Sequence, residues 1–359
     1  MTRIILCTAV LLLLAAPHAN AQMLNRARVA PMRPPQAQKQ SATPQAPTIV
    51  ANVNLVNMIF SVENLHGAFL PHLTQADFRV LEDGQPQTIA FFSADNQLPL
   101  TLGLLLDTSP SQSEILSEEQ RISDNFFQQV IHHKDLAFVI GFDVQVRLLH
   151  DLTADPSSLA AAVDSAHIGG ADASSYSINR GDFPSQGHTG ATHLWDAIVL
   201  ACRNVLANQV GRKAIIIVTD GGEQGSTYTW HDALRAALDA NTSVFAIMTV
   251  NRHFGRFGGY DRGAGPGQLK KITAQTGGRT INAGNHLARA FAQLEAELRS
   301  QYSLAYRSNL PRQPGAFRTV KIEFTRPAAS AHPAARIHAR SGYFAPGLLR
   351  RPNGTKSNH

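Results

Sequence analysis

Two short apolar runs lie near the middle of the chain, and each leads into an aspartate. Leu100–Leu106 is bounded by Pro99 and a polar turn, and Ala214–Thr219 is rich in β-branched residues. Apolar runs of this length, bounded by turn residues, predict strands buried on both faces, as in the centre of a parallel sheet. Asp107 follows the first run, and Asp220 follows the second.

Strand and helix patterns alternate from residue 98 to about residue 298. Apolar residues spaced by three and four predict a helix over Glu114–His132. Its inner face carries Ile115, Ile122, Phe126, Phe127 and Val130. The strands Leu136–Gly141 and Val144–Leu149 are too close together for a parallel crossover, so they form a hairpin. The pattern predicts an α/β fold, a doubly wound and mostly parallel sheet with one antiparallel edge strand.

Strand-forming segments also lie on both sides of this region. Before it come Val53–Val62, Phe78–Leu81 and Thr88–Phe92, with Asp83-Gly84 as a hairpin turn. After it come Gln301–Tyr306, Phe317–Phe324 and Arg336–Tyr343, with proline-rich turns at residues 311–314 and 327–333. Four short strands without disulfides make a marginal independent domain. We therefore predict one β layer built from residues 49–96 and 299–346, flanking a central domain of residues 97–298.

The two ends of the chain have a different composition. Residues 1–21 resemble a secretory signal, with Arg3, an apolar stretch and a small-residue end, although an uncleaved anchor is the alternative. Residues 22–48 predict a Pro/Gln-rich disordered linker, and residues 347–359 a disordered tail. We therefore expect an exported protein that is periplasmic, associated with the cell envelope or extracellular, with no transmembrane anchor after cleavage.

The overall composition is that of a globular protein, with 43% hydrophobic and 16% charged residues. The formal net charge of +6 does not by itself indicate nucleic-acid binding. Without the signal only Cys202 remains, and its helical spacing with Trp195, Val199 and Leu206 predicts a small buried hydrophobe. No G-x-G-x-x-G turn follows the first strand, and no P-loop sequence is present, which argues against dinucleotide and P-loop nucleotide sites.

A carboxylate and two hydroxyls alternate at the end of the first apolar strand, as Asp107, Ser109 and Ser111. Open α/β sheets place their binding sites at the carboxyl ends of strands. Oxygen donors are the ligands that a hard cation such as Mg²⁺ prefers. An equally simple explanation is that Ser109 or Ser111 caps the following helix.

Two distant residues favour the metal site. Thr192 stands at the start of a strongly periodic helix, and Asp220 follows the second apolar strand. With Asp107, Ser109 and Ser111, they resemble the metal-ion-dependent adhesion site (MIDAS) of von Willebrand factor A-type domains. The flanking phrases resemble the VWFA-related acidobacterial family over residues 49–346. These phrases are Asp77–Val80, Glu82–Gly84, Gln301–Leu304 and Ser341–Pro346.

The resemblance implies that Ser109, Ser111 and Thr192 coordinate Mg²⁺ or Mn²⁺ directly, while Asp107 and Asp220 act mostly through water. Two carboxylates held close together repel each other unless a cation or a proton compensates. A direct ligand set with little negative charge leaves the cation electrophilic, so an Asp or Glu carboxylate of a protein partner could fill the open position. This implies a non-enzymatic module for metal-dependent adhesion or protein–protein recognition. The next acidic residue after Asp220 is displaced to Glu223, which argues against an auxiliary ion site.

Two long loops, residues 167–189 and 251–265, are predicted to lie over this site. Their candidate partner-binding residues are Tyr176, Arg180, Arg252, Phe254, Arg256 and Tyr260. Arginine and aromatic side chains are enriched in recognition surfaces, although the second loop could instead be a flexible glycine loop. It also resembles segments that contact RNA, but an exported protein seldom meets RNA, so we expect no nucleic-acid partner. Two alternative functions remain: a metal-independent scaffold of an envelope assembly, and a metal-assisted phosphoester hydrolase using Asp107 and Asp220. The sequence does not specify the partner or the oligomeric state.

Overall fold

Fourteen strands and seven α-helices are present in the computed structural model, which describes residues 55–94, 98–169, 192–249, 265–284, 286–311 and 313–346. The strands are β1 Leu55–Glu63, β2 Phe78–Glu82, β3 Gln85–Gln87, β4 Ile89–Ser93, β5 Leu100–Asp107, β6 Leu136–Phe142, β7 Val146–Thr153, β8 Arg212–Thr219, β9 Thr242–Thr249, β10 Thr280–Gly284, β11 Tyr302–Arg307, β12 Phe317–Phe324, β13 Arg336–Ala339 and β14 Gly342–Phe344. The helices are α1 Leu116–Val130, α2 Pro156–Asp164, α3 Leu194–Leu200, α4 Trp230–Asp239, α5 Gly265–Gln275, α6 Leu287–Arg299 and α7 Arg326–Ala331. A π-helical segment, Ala201–Leu206, continues α3. Across the described ranges, no helix is both long enough and apolar enough to cross a membrane.

Six strands form the central sheet in the order β10-β9-β8-β5-β6-β7. All neighbours pair in parallel except β6 and β7, which pair antiparallel. Strand β5 is buried along its whole length. Its Leu104 and Leu106 pack with α1, α2 and α6 on one face, while Leu105 packs with α3, α4 and α5 on the other. This arrangement confirms the predicted doubly wound, mostly parallel fold with one antiparallel edge strand.

The strands from the two ends of the chain pair with one another, as predicted, but they form two sheets. One has the order β13-β1-β11-β4 and the other β14-β12-β2-β3. The predicted flanking β unit from both chain ends is therefore confirmed, and it consists of two sheets instead of a single layer. The physical reason is that both sheets have an apolar face, and packing the two faces together gives a shared core. At its centre Phe60 of β1 lies with its ring centroid 5.0 Å from that of Phe78 of β2, and 5.3 Å from that of Tyr302 of β11.

Two local predictions near the carboxyl end are also corrected. The single strand predicted over Arg336–Tyr343 is divided into β13 and β14, which belong to different sheets. Between them, Arg340 forms a β-bridge with Thr276 and donates through its guanidinium to the carbonyl of Asn57, at 2.7 Å. The proline-rich segment at 327–333 contains the short helix α7, because proline is tolerated in the first turn of a helix.

The hairpin turn predicted at Asp83-Gly84 is present between β2 and β3. Both residues have positive φ, 47° and 78°, as a two-residue primed turn requires. The same Asp83 accepts hydrogen bonds from Thr319 and forms an ion pair with Arg318 at 2.7 Å. These bonds hold the pKa of Asp83 below its usual range. The turn thus also ties the amino-terminal hairpin to β12.

A buried ionic cluster joins the two-sheet unit to helix α6. Glu297 is fully buried, accepts a hydrogen bond from Ser61 at 2.8 Å and lies 2.6 Å from Nε of Arg279. Arg279 also contacts Glu63 at 2.8 Å, and Glu63 lies 3.0 Å from His338. Buried charges are tolerated when they are paired in this way. The cluster therefore fixes how β1 and β13 sit against the central domain.

Cys202 lies in the π-helical segment and is fully buried. Burial raises the pKa of its thiol to about 12. A thiol in this environment stays protonated and behaves as a small hydrophobe, which agrees with the sequence prediction.

Candidate metal centre

Asp107 is the last residue of β5, the strand that lies between β8 and β6 in the central sheet. Its side chain is fully buried and both carboxylate oxygens are hydrogen-bonded. Oδ1 accepts from the amide of Ser109 at 3.0 Å, and Oδ2 accepts from the hydroxyl of Thr219 at 2.5 Å. Because Thr219 is the last residue of β8, its hydroxyl couples the ends of two neighbouring strands.

The two serines of the turn after β5 direct their hydroxyls towards each other, with Oγ of Ser109 3.0 Å from Oγ of Ser111. Pro110 opens a 3₁₀ turn, Pro110–Gln112, and Ser109 stands at its N-cap position without making a side-chain capping bond. Helix α1 begins after Ile115, whose side chain cannot cap. The capping explanation is therefore wrong for both serines.

Thr192 and Asp220 lie beside each other at Gly222. A Cβ atom placed on Gly222 would be 3.2 Å from Oδ1 of Asp220 and 3.8 Å from Oγ1 of Thr192. Thr192 is held there by paired backbone hydrogen bonds to Gln224, both 3.0 Å, and Asp220 accepts from the amide of Gly222 at 2.9 Å. The absence of a side chain on Gly222 thus leaves a small cradle between these two oxygens.

The pKa of Asp107 depends on burial, on its hydrogen bonds and on the charge of Asp220. Burial raises the pKa of Asp107 to about 7, hydrogen bonds from Ser109 and Thr219 partly oppose this rise, and the nearby charge of Asp220 adds to it. The structure therefore brings Asp107 into electrostatic range of Asp220, and Asp220 next to Thr192. Two like charges in one buried site favour a bound cation or a proton.

The donor chemistry fits a hard divalent cation. Every candidate donor is oxygen, from two carboxylates and three hydroxyls. Octahedral Mg²⁺ with ligands at about 2.1 Å places adjacent ligand atoms about 3 Å apart, which matches the separation of 3.0 Å between the two serine hydroxyls. In the part of the chain that the structure describes, no group of three or more His, Cys, Asp or Glu side chains could hold a metal. A site of two carboxylates and three hydroxyls does not depend on such a group.

A buried hydrogen-bond network holds the turn after β5 in place, and the sequence analysis did not predict it. Thr108 donates its hydroxyl to Asp143 at 2.9 Å and accepts from Arg147 at 3.0 Å. Arg147 also donates to Asp143 at 2.6 Å, and the carbonyl of Asp143 accepts from the amide of His193 at 2.8 Å. Asp143 thus links the hydroxyl-rich turn to the residue after Thr192. The only available sequence signal was its place in the short β6–β7 connection.

Glu223 holds the start of α3. Its Oε2 accepts from the amides of Leu194 and Trp195 in the first turn of α3, and from the hydroxyl of Ser226. Burial raises the pKa of Glu223 to about 7 against these bonds. A carboxylate at this position satisfies amides that have no partner within the helix.

The six predicted partner-binding residues lie outside the described residues, as do the predicted signal, linker and tail. The six are Tyr176, Arg180, Arg252, Phe254, Arg256 and Tyr260.

Comparison with family models gave no match, and comparison with curated proteins gave none. Solved structures do resemble the chain. BatB from Bacteroides thetaiotaomicron is similar over 56% of this chain and 100% of its own, with 17% identity and a TM-score of 0.40. The vWF domain of the type V pili tip protein Mfa5 from Porphyromonas gingivalis is similar over 56% of this chain and 95% of its own, with 12% identity and a TM-score of 0.38.

Proximal thread matrix protein 1 from the mussel byssus, with a zinc-occupied MIDAS motif, is similar over 62% of this chain and 50% of its own, with 13% identity and a TM-score of 0.42. All three TM-scores lie below 0.5, so the residues of the site itself have to support any functional proposal.

Proposed function

We propose that this protein is an exported recognition or adhesion module that binds a protein partner through a divalent cation, Mg²⁺ or Mn²⁺. The cation would be held by Ser109, Ser111 and Thr192, with Asp107 and Asp220 acting through water. A carboxylate of the partner would complete its coordination. The observation that supports this proposal is that Asp107 joins the ends of β5 and β8 through Ser109 and Thr219, while Gly222 faces both Asp220 and Thr192.

Three features of the site favour binding over catalysis. The carboxylate of Asp107 is engaged on both oxygens by Ser109 and Thr219, so it is held in place and not presented to a substrate. The donors proposed to touch the cation are neutral hydroxyls, which leave a divalent ion most of its charge for an anionic ligand. The sequence predicts recognition residues in the loops after α2 and β9, and we propose that these residues contact the partner.

Metal titration of the full chain tests the proposal. We expect Mg²⁺ and Mn²⁺ to bind in isothermal titration calorimetry, and Ser111→Ala to weaken binding by about tenfold or more, because it deletes one ligand. The matched control is Ser113→Ala, an exposed serine two residues further along the same turn. Absence of metal binding by the unaltered protein, or equal affinities of the two variants, would contradict the proposed site.

The partner chemistry requires a separate measurement. A peptide bearing an exposed aspartate should bind the metal-loaded protein and be released by a chelator, while the same peptide with asparagine should not bind. Metal binding without any carboxylate-dependent capture would contradict the proposed partner chemistry, and absence of metal binding would favour the metal-independent scaffold. Metal-dependent turnover of a generic phosphoester would favour the hydrolase alternative.

A further inference from the structure

Helix α1 and the turn before it, which holds Ser109 and Ser111, carry polar atoms that are buried without hydrogen-bond partners in the described residues. Within the described part of the chain, the buried side-chain atoms that lack a hydrogen-bond partner include both oxygens of Glu119, Nε2 of Gln112 and Oγ of Ser123. All three residues are fully buried. Unpartnered buried polar groups cost free energy, so each of them calls for an explanation, such as a bound ion or water.

Glu119 is the acidic residue among these three. It lies in the first turn of α1, one helical turn before Ser123, so the two side chains share one face of the helix. Burial holds the pKa of Glu119 well above its usual range, and the charges of Asp107 and Glu118 raise it further. Both named charges are acidic and oppose its ionisation. A cation beside Asp107 would reverse this balance, because it would offset the carboxylates together.

Gln112 is bonded to the end of β9. It accepts through Oε1 from the hydroxyl of Thr249 at 2.9 Å, which fixes its amide while its own Nε2 remains without a partner in the described residues. A donor of this kind is able to bind a buried water, which needs two to four polar contacts. Gln112 directly follows Ser111 in the chain.

We propose that Glu119 is a further acidic member of the metal centre, a positioning residue that offsets the charge of the cation through bound water. Direct coordination does not fit, because Asp107, Asp220 and Glu119 do not form a three-acid metal group among the described residues. This inference rests on the proposed function, since it requires a cation at the hydroxyl-rich turn. Its consequence is that the cation site extends inwards along α1, beyond the five residues that the sequence indicates.

Neutralising Glu119 tests the inference, and its neighbour supplies the control. Glu119→Gln keeps the shape of the side chain and removes its charge, whereas Glu118→Gln makes the same change at an exposed position of the same helix turn. We expect about 10- to 100-fold weaker binding of Mg²⁺ and Mn²⁺ by Glu119→Gln, the range typical of outer-shell residues, and a change within about twofold for Glu118→Gln. In a chelator, Glu119→Gln should unfold at the same urea concentration as the unaltered protein or at a higher one.

Three results overturn the inference. The first is equal metal affinities of Glu119→Gln and Glu118→Gln, which would show that Glu119 is only a protonated core acid; Ser111→Ala would then still test the proposed function independently. If Glu119→Gln does not fold in a chelator, Glu119→Asp is measured in its place, because it withdraws the carboxylate by one methylene. The second is then an affinity of Glu119→Asp equal to that of Glu118→Asp. The third is that the unaltered protein binds neither ion, in which case the proposed function and this inference fail together.

Discussion

The hydroxyl of Thr219 makes two buried hydrogen bonds at the meeting point of β5 and β8, and its removal gives a direct test of how the site is built. It donates to Oδ2 of Asp107 at 2.5 Å and accepts from the amide of Gly221 at 2.9 Å. Thr219→Val keeps the branched shape of the side chain and deletes only the hydroxyl. The substitution therefore creates no cavity but leaves a carboxylate oxygen and an amide without a partner.

The expected loss follows from these two bonds. A hydrogen bond to a charged group contributes about 1.5–3 kcal/mol and an ordinary one about 1 kcal/mol. We therefore expect Thr219→Val to lower the free energy of unfolding by about 2–4 kcal/mol, measured by urea denaturation with linear extrapolation. The affinity for Mg²⁺ should fall as well, because Asp107 loses the bond that orients it.

Thr242→Val is the matched control for this substitution. Thr242 is equally buried, on the neighbouring strand β9, but its hydroxyl makes a long bond of 3.5 Å to the carbonyl of Ala240 and a bond to the thiol of Cys202, which is a weak partner. We expect the control to lose less than about 1 kcal/mol. A loss below about 1 kcal/mol for Thr219→Val, or equal losses for the two variants at an unchanged urea slope, would refute the reasoning.

Three further predictions concern residues around the same sheet edge. Asp143→Asn should lower the free energy of unfolding by about 3 kcal/mol, because it leaves the buried guanidinium of Arg147 without its counter-charge; an unchanged urea midpoint would contradict this. In a chelator, the free energy of unfolding should fall as the pH rises, because the pKa of Asp107 is raised from 3.8 to about 7 in the folded state. The fall between about pH 4 and about pH 8 should be about 4 kcal/mol, and Asp107→Asn should abolish this pH dependence. Gly103→Ala should cost about 1–3 kcal/mol, because a Cβ there would lie 2.4 Å from the buried ring of Phe138; an equally stable variant would show that the ring can move aside.

The central sheet could be predicted because its strands are buried on both faces and therefore appear as continuous apolar runs. The short connection between β6 and β7 was also sufficient to predict the antiparallel edge strand. The split between β13 and β14 could not be predicted, because it depends on contacts of Arg340 with Thr276 and Asn57, which are far away in the sequence. Strand propensity is continuous through that point.

The ligand set of the candidate site was open to prediction, whereas its supports were not. Asp107 and Asp220 follow predicted strands, so their shared edge could be inferred from topology alone. Asp143 appeared only as a turn residue, since its contacts with Thr108 and Arg147 arise from the folded hairpin. Glu119 could have been found: it lies four residues after Ile115 and three before Ile122, on the inner face of the predicted helix.

Strand β1 lies inside its sheet, between β13 and β11, although both partners come from the opposite end of the chain. During synthesis the apolar row of Val56, Met58 and Phe60 must therefore wait until Tyr302 and the residues after it have left the ribosome. Pairings between such distant segments form slowly, since a long loop has to close first. The central domain can fold earlier, and the two sheets then form and pack against one another. A nascent chain stalled near residue 300 would expose that row to chaperones, or to the same row of another copy.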